Sequence, residues 1–260
     1  MRLNNKVAIV TGGGVGIGRA ISLAFASEGA AVVAAARTLP RLEAVADEIR
    51  SRGGRAIAIQ TDVSDENQVK RMVAQTLNEY GQVDILVNNS GITGPTTNVV
   101  DIKLDDWNEV LTINLTGAML CAREVLKNML PHQSGNIINI SSAAGTSGLP
   151  MRSPYCVSKW GIIGLTQTIA IEVGEYNIRV NCIAPGIVEG ERIKSVMKAR
   201  AEATGITYEE IANEMSAIVA LRRMVTAAEI ASTAVFLASD ESSGITGQTI
   251  SVNAGRQLKA

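Results

Sequence analysis

The chain is poor in aromatic residues, which make up 3% of its 260 positions. A pocket that binds planar rings by stacking has little to draw on. There is one histidine, His132, and there are three cysteines, Cys121, Cys156 and Cys182, at no metal-like spacing. No Cys/His cluster exists to hold zinc, so metal-assisted alcohol oxidation is not expected and no metal site is assigned. An odd number of thiols without a framework argues against a secreted disulfide scaffold and for a reducing, cytoplasmic setting. No apolar run approaches ~18 residues, so no transmembrane helix is expected. The first strand-like run begins within six residues of Met1, which leaves no room for a signal peptide. Net charge is −1 with acids and bases interspersed, so neither nucleic acid nor an anionic membrane is indicated as a partner. His132 follows Pro131 in an expected loop and is read as solvated surface.

Hydrophobic residues make up 46% of the chain, enough for a core on both faces of a sheet. Apolar strand candidates fall at 6–11, 30–36, 55–60, 84–88, 136–141, 178–184 and 248–252. Helical patterns lie between them at 17–28, 40–52, 66–80, 104–129, 153–174 and 227–238. Pro40 suits a helix start, Ser64 or Asp65 a cap, and Gly81 a stop. This alternation predicts a single α/β domain over 1–260, with a doubly wound parallel sheet and helices on both faces. One stretch breaks the rhythm. Residues 187–225 form a largely helical insertion after the sixth strand, placed to cover a ligand at the carboxyl ends of the strands as a lid.

Two clusters carry chemistry. Thr11-Gly12-Gly13-Gly14-Val15-Gly16-Ile17-Gly18 follows an apolar strand and opens a helix, the context of a phosphate-binding turn. Glycines let the backbone approach a pyrophosphate, and a helix N-terminus offers unpaired N–H groups. The second cluster is Tyr155 with Lys159, four apart and so on one helix face, and Ser142 thirteen residues upstream. An ammonium beside a phenol favours the phenolate, which suits the phenol to exchange a proton with a carbonyl or alcohol oxygen.

With these residues in order, the chain resembles the short-chain dehydrogenase/reductase family over residues 3–255. The likeness is to its compact branch, which includes 3-oxoacyl-carrier-protein reductases and related small alcohol dehydrogenases. Thr11-Gly12-x-x-x-Gly16-x-Gly18 is similar to that branch's cofactor turn, Asp62-Val63 to the pair flanking the adenine, and Asn88-Asn89-Ser90-Gly91 to the family's N-N-A-G. Asn114, Ser142 and Tyr155-x-x-x-Lys159 fall where the family carries its catalytic residues, and Pro185-Gly186 matches the turn after the sixth strand. Gly190 stands where relatives often place a threonine, so the resemblance assigns the nicotinamide amide to the backbone of Val188. The tail reads Val252-Asn253-Ala254-Gly255 where relatives commonly show Asp-Gly-Gly. The extended branch, with T-G-x-x-G-x-x-G and a large C-terminal domain, fits less well.

The resemblance implies a Rossmann-type sheet in the order 3-2-1-4-5-6-7. It also implies NAD(P)-dependent interconversion of a secondary alcohol and a ketone. Tyr155 is then the general acid and base, Lys159 lowers its pKa and binds the ribose, Ser142 holds the substrate oxygen, and Asn114 holds a relay water. A 3-oxoacyl-thioester reductase and a non-catalytic nucleotide sensor on the same fold are the alternatives. Gly14, Val15, Ile17, Asn88, Asn89, Gly91 and Arg37 complete the expected cofactor contacts. Ala36-Arg37 replaces the acid that binds a ribose 2′-OH in NAD-preferring relatives, which favours NADP(H) over NAD(H). Arg152, three residues before Tyr155, is a candidate clamp for an anionic substrate group. Family likeness also implies a homotetramer joined through the helices at 104–129 and 153–174.

Overall fold

The computed structural model describes residues 1–217 and 219–256. Its strands are β1 (Val7–Thr11), β2 (Ala31–Ala36), β3 (Arg55–Gln60), β4 (Ile85–Asn88), β5 (Gly135–Ile140), β6 (Ile178–Pro185) and β7 (Thr249–Val252). They form one seven-stranded sheet in the order β3-β2-β1-β4-β5-β6-β7. Every pairing is parallel. This is the expected doubly wound sheet.

Why the strands read as unbroken apolar runs is clear from the packing. All five residues of β1 are buried. Neighbouring residues point to opposite faces, and both faces are covered. Ala8 and Val10 join a core with Ile21 and Phe25 of α1 (Gly16–Ser27), Val45 and Ile49 of α2 (Leu39–Ser51), and Ile230 and Val235 of α9 (Ala227–Ala238). Ile9, between them, faces the other way. It joins Val69 and Met72 of α3 (Glu66–Tyr80), Val125 and Met129 of α5 (Gly117–His132), and Ile169 of α6 (Ser153–Val173). Burying each such side chain contributes roughly 1.5–3 kcal/mol.

Local signals set the helix ends. The Asp65 side chain accepts from the backbone N–H groups of Asn67 and Gln68, and Gly81 closes α3 at φ 78°. Thr226 and Glu229 form a reciprocal capping box at the start of α9. One expectation gains detail and one needs correction. The stretch 104–129 is helical throughout, but not uniformly: α4 (Leu104–Leu111) leads into a π-helical turn at Thr112–Thr116, and α5 follows directly. In addition, α5 runs through Pro131 to His132, so His132 ends a helix rather than sitting in a loop. It is exposed, and its Nδ1 lies 2.7 Å from the Asn128 carbonyl oxygen. After β6 the chain forms α7 (Glu191–Thr204) and α8 (Tyr208–Ala217) before reaching α9.

The order places the reversal of winding between β1 and β4, the position at which doubly wound sheets open a crevice at the strand ends. The two strand tips are tied together there. Thr11 Oγ1 donates to the Val87 carbonyl at 3.2 Å and accepts from the N–H groups of Asn89 and Ser90.

Candidate active site

The glycine turn rises from β1 into α1. Gly12 sits at φ +66°, and a Cβ there would lie 2.7 Å from Asn89 Nδ2. A Cβ on Gly18 would collide with the Gly12 carbonyl oxygen, so Gly18 lets α1 pack onto the turn. Gly16, at φ +54°, has nothing within 4 Å of its missing side chain. The first turn of α1 has no acid, and its N-cap residue Val15 provides no side-chain cap. An open glycine beneath an uncapped, acid-free helix N-terminus fits the pyrophosphate of a dinucleotide. Across the turn, Arg37 is exposed at the end of β2, its carbonyl held by Gln60 Nε2 at 2.9 Å. Arg41, which the sequence reading missed, stands beside Gly14, whose Cβ would come 3.2 Å from the arginine's own Cβ. Asp62 lies at the end of β3, its Oδ1 taken by Ser64, and Val63 is buried against Gly117.

The second half of the site stands on β5 and α6. Ser142 follows the end of β5, and its Oγ accepts from the Ala144 N–H at 3.1 Å. Tyr155 and Lys159 share one face of α6. Lys159 is 5% exposed, and its Nζ donates to the Ile140 carbonyl at 2.8 Å and lies 5.8 Å from the Tyr155 ring centroid. Burial pulls its pKa down to about 8, and the nearby Arg192 charge adds to that fall. The helix is held to β5 by Ser141, whose Oγ donates to the Lys159 carbonyl at 2.7 Å. A Cβ on Gly91 would lie 3.0 Å from Asn114 Oδ1 and 3.7 Å from Lys159 Nζ, so these groups converge at the strand tips.

Several of these residues make contacts that the sequence does not show. Asn88 turns into the interior, where Nδ2 donates to the Ala118 carbonyl and to Asn139 Oδ1; it braces β4, β5 and α5 rather than facing a cofactor. Asn89 Nδ2 donates to the carbonyls of Thr11 and Gly12, supporting the turn from behind. In the Asn114 amide, Oδ1 accepts from the Ile92 N–H at 2.8 Å, while Nδ2 donates to the Ile92 carbonyl and to Ser158 Oγ, each at 3.0 Å. The side chain thus clamps the loop after β4. Arg152 is not a solvated loop residue. It is 5% exposed, donating to Thr96 Oγ1 at 2.9 Å and the Thr93 carbonyl at 2.8 Å. Ser158 was missed, although its i+3 spacing from Tyr155 places it on the catalytic face. Pro185 ends β6, and Gly186 packs closely on Asn253. The backbone of Ile187 and Glu189 bonds Val225, leaving the N–H and C=O of Val188 outside that pairing. The described residues contain no cluster of metal-ligating side chains.

The family model described as Enoyl-(Acyl carrier protein) reductase matches residues 13–257. The chain belongs to the short-chain dehydrogenase/reductase family. It is thus an NAD(P)-dependent oxidoreductase acting on CH–OH and keto groups. Relatives include the 3-oxoacyl-(acyl-carrier-protein) reductase of Staphylococcus epidermidis, 38% identical over 98% of this chain and 100% of that protein. The 3-oxoacyl-(acyl-carrier-protein) reductase of Synechocystis is 39% identical over 97% of each. Among solved structures, an NAD⁺-bound xylitol dehydrogenase superposes with TM-score 0.96 at 34% identity, covering 98% of this chain and 100% of that one. A single-substitution variant of actinorhodin polyketide ketoreductase with NADPH gives 0.93 at 32% identity over 98% of each.

Proposed function

We propose that this short-chain dehydrogenase/reductase reversibly reduces a ketone to a secondary alcohol, with Tyr155 as the proton donor. The observation that carries this is the shared α6 face of Tyr155 and Lys159 beside the β5 strand end that bears Ser142, across the crevice from the glycine turn. The residues fit NADP(H). Gly12, Gly14, Val15, Gly16, Ile17 and Gly18 would hold the pyrophosphate, Asp62 and Val63 the adenine side, and Gly91, Pro185, Gly186 and Val188 the nicotinamide half. When bound, the cofactor supplies the hydride.

The chain's own groups do the rest. Ser142 Oγ, a rotatable hydroxyl at the strand end, orients the substrate oxygen toward Tyr155. Tyr155 gives its proton to that oxygen in reduction and takes it back in oxidation. Lys159 keeps positive charge next to the phenol and would hold the ribose of a bound cofactor. Asn114 sets the position of Gly91 and Ile92 against the lysine. Residues 187–225, carrying α7 and α8, close over the site as a lid and exclude water.

NADP(H) is favoured over NAD(H), because no acid follows β2 while Arg37 and Arg41 flank the turn and can pair with a 2′-phosphate. A second reading, a 3-oxoacyl-thioester reductase, draws on the names of the curated relatives. A purely nucleotide-sensing role has no use for the buried Lys159 beside Tyr155. The assembly is a homo-oligomer, by family expectation a tetramer, built on the outer faces of α4 to α6. Trp160 (52% exposed) and Ile171 (84% exposed) supply apolar surface there. Three free, buried thiols suit the cytoplasm. A panel of ketones and 3-oxoacyl thioesters, followed at the reduced-nicotinamide absorbance with both cofactors, tests the reading. Turnover of ketones with NADPH supports it, and no turnover of any substrate rejects it.

A further inference from the structure

A cavity of about 580 Å³ lies between the loop after β4 and the lid helix α7. Residues 91–96 line it from the loop and Arg192 and Ser195 from α7, with Arg152 also in the lining. Among the described residues, no aspartate or glutamate lines it. Among the described residues Arg152 has no counter-ion: its partners, Thr96 Oγ1 and the Thr93 carbonyl, are neutral, and its Nε is buried with no partner. Its guanidinium carbon stands 5.5 Å from the centroid of the Tyr155 ring, on the reacting phenol's own side chain. From the lid, Arg192 Nη2 donates to the Gly91 carbonyl at 2.8 Å, again a neutral partner. The acid beside it in sequence, Glu191, is engaged by Lys194 at 2.8 Å.

We propose that Arg152 and Arg192 form an oxyanion subsite next to Tyr155, and that the substrate is a small keto compound bearing a carboxylate or similar oxyanion a few bonds from the carbonyl. This rests on the ketone-reductase reading and narrows its substrate class. A guanidinium taken out of water with only neutral partners is costly, and a charge-assisted pair with an entering anion offsets that cost. A mere tether between the loop and α6 needs no charge; a neutral amide would bond Thr93 and Thr96 as well. Burial holds the Arg152 pKa below its ordinary value, in keeping with a cation that lacks a counter-charge. Arg192 is exposed on a helix that can close, so the anion is gripped from both walls.

The test compares 4-oxopentanoate with its methyl ester, with NADPH in excess, in the wild type and in Arg152→Ala, Arg152→Lys and Arg192→Ala. The wild type is expected to prefer the acid by about ten- to a hundredfold in kcat/KM. Each alanine variant loses most of that preference through KM for the acid, while the ester changes by much less; Arg152→Lys restores part of it. Should Arg152→Ala fail to fold, Arg192→Ala on the exposed lid carries the test. Equal turnover of acid and ester in the wild type, or equal losses for both in the variants, overturns the subsite and leaves Arg152 a tether. Calorimetry with pentanoate on the NADPH-loaded protein separates the two claims. Pentanoate bound by the wild type and not by Arg192→Ala upholds the subsite even if no ketone is reduced, and absence of pentanoate binding overturns it.

Discussion

Lys159→Met is expected to make the protein more stable at neutral pH while destroying its activity. The ammonium is buried against β5 and its pKa is drawn from 10.5 to about 8, chiefly by loss of solvent. At ~1.36 kcal/mol per unit, holding the charged form at pH 7 costs the fold about 3 kcal/mol. Methionine fills similar volume without charge but leaves the Ile140 carbonyl unpaired, a loss of about 1–1.5 kcal/mol. The net gain at pH 7 is about 2 kcal/mol. Its pH dependence is the diagnostic part. The native lysine releases its proton near 8 and the unfolded one near 10.5, so between these values the unfolded chain binds more protons. Raising the pH therefore stabilises the native wild type, recovering about 2 kcal/mol by pH 9.5. The advantage of the Met variant should shrink to nearly nothing there. Urea unfolding of both proteins at pH 7 and pH 9.5 measures it. A Met variant that is less stable at pH 7, or whose advantage does not shrink with pH, refutes the reasoning.

Four further outcomes are expected. Arg37→Ala should lower the kcat/KM ratio for NADPH over NADH by about ten- to a hundredfold, measured with one ketone and both cofactors, since a charge-assisted phosphate contact is worth ~1.5–3 kcal/mol. Gly18→Ala, whose Cβ meets the Gly12 carbonyl, should lower stability by about 1–3 kcal/mol. Gly16→Ala has open space in the free protein and should cost only ~1–2 kcal/mol of backbone strain while sharply weakening NADPH binding; thermal melts and NADPH titration read the pair. Trp160→Glu on the outer face of α6 should shift the sedimentation coefficient toward a smaller species at micromolar concentration, and a monomeric wild type would remove the oligomer from the account.

The sheet was legible because parallel strands buried on both faces must be apolar at nearly every position, as Val7–Val10 and Val32–Ala35 are. The glycine turn and the Tyr155–Lys159 face were legible because their spacing carries their geometry. Other features depend on contacts distant in the chain. Nothing in Thr112–Thr116 marks a π turn: it contains no proline or glycine, and its payoff is the Asn114 amide reaching Ile92. Asn88 and Asn89 look alike in sequence, yet the alternation of β4 sends one into the core and leaves the other under the turn. The burial of Arg152 was not legible because its partners, Thr93 and Thr96, lie more than fifty residues away. The helix expected to end at 129 runs on through Pro131 to His132.

The central claim is that hydride passes from the cofactor to a ketone carbon while Tyr155 supplies the proton. The most direct measurement uses NADPH deuterated at its transferable position, with wild type and Tyr155→Phe, and mass analysis of the alcohol formed. The account predicts deuterium on the carbinol carbon with the wild type. With the Phe variant it predicts a rate at least ~10²–10⁴-fold lower and nearly unchanged NADPH binding. Product without deuterium, or a Phe variant that matches the wild type, would contradict it.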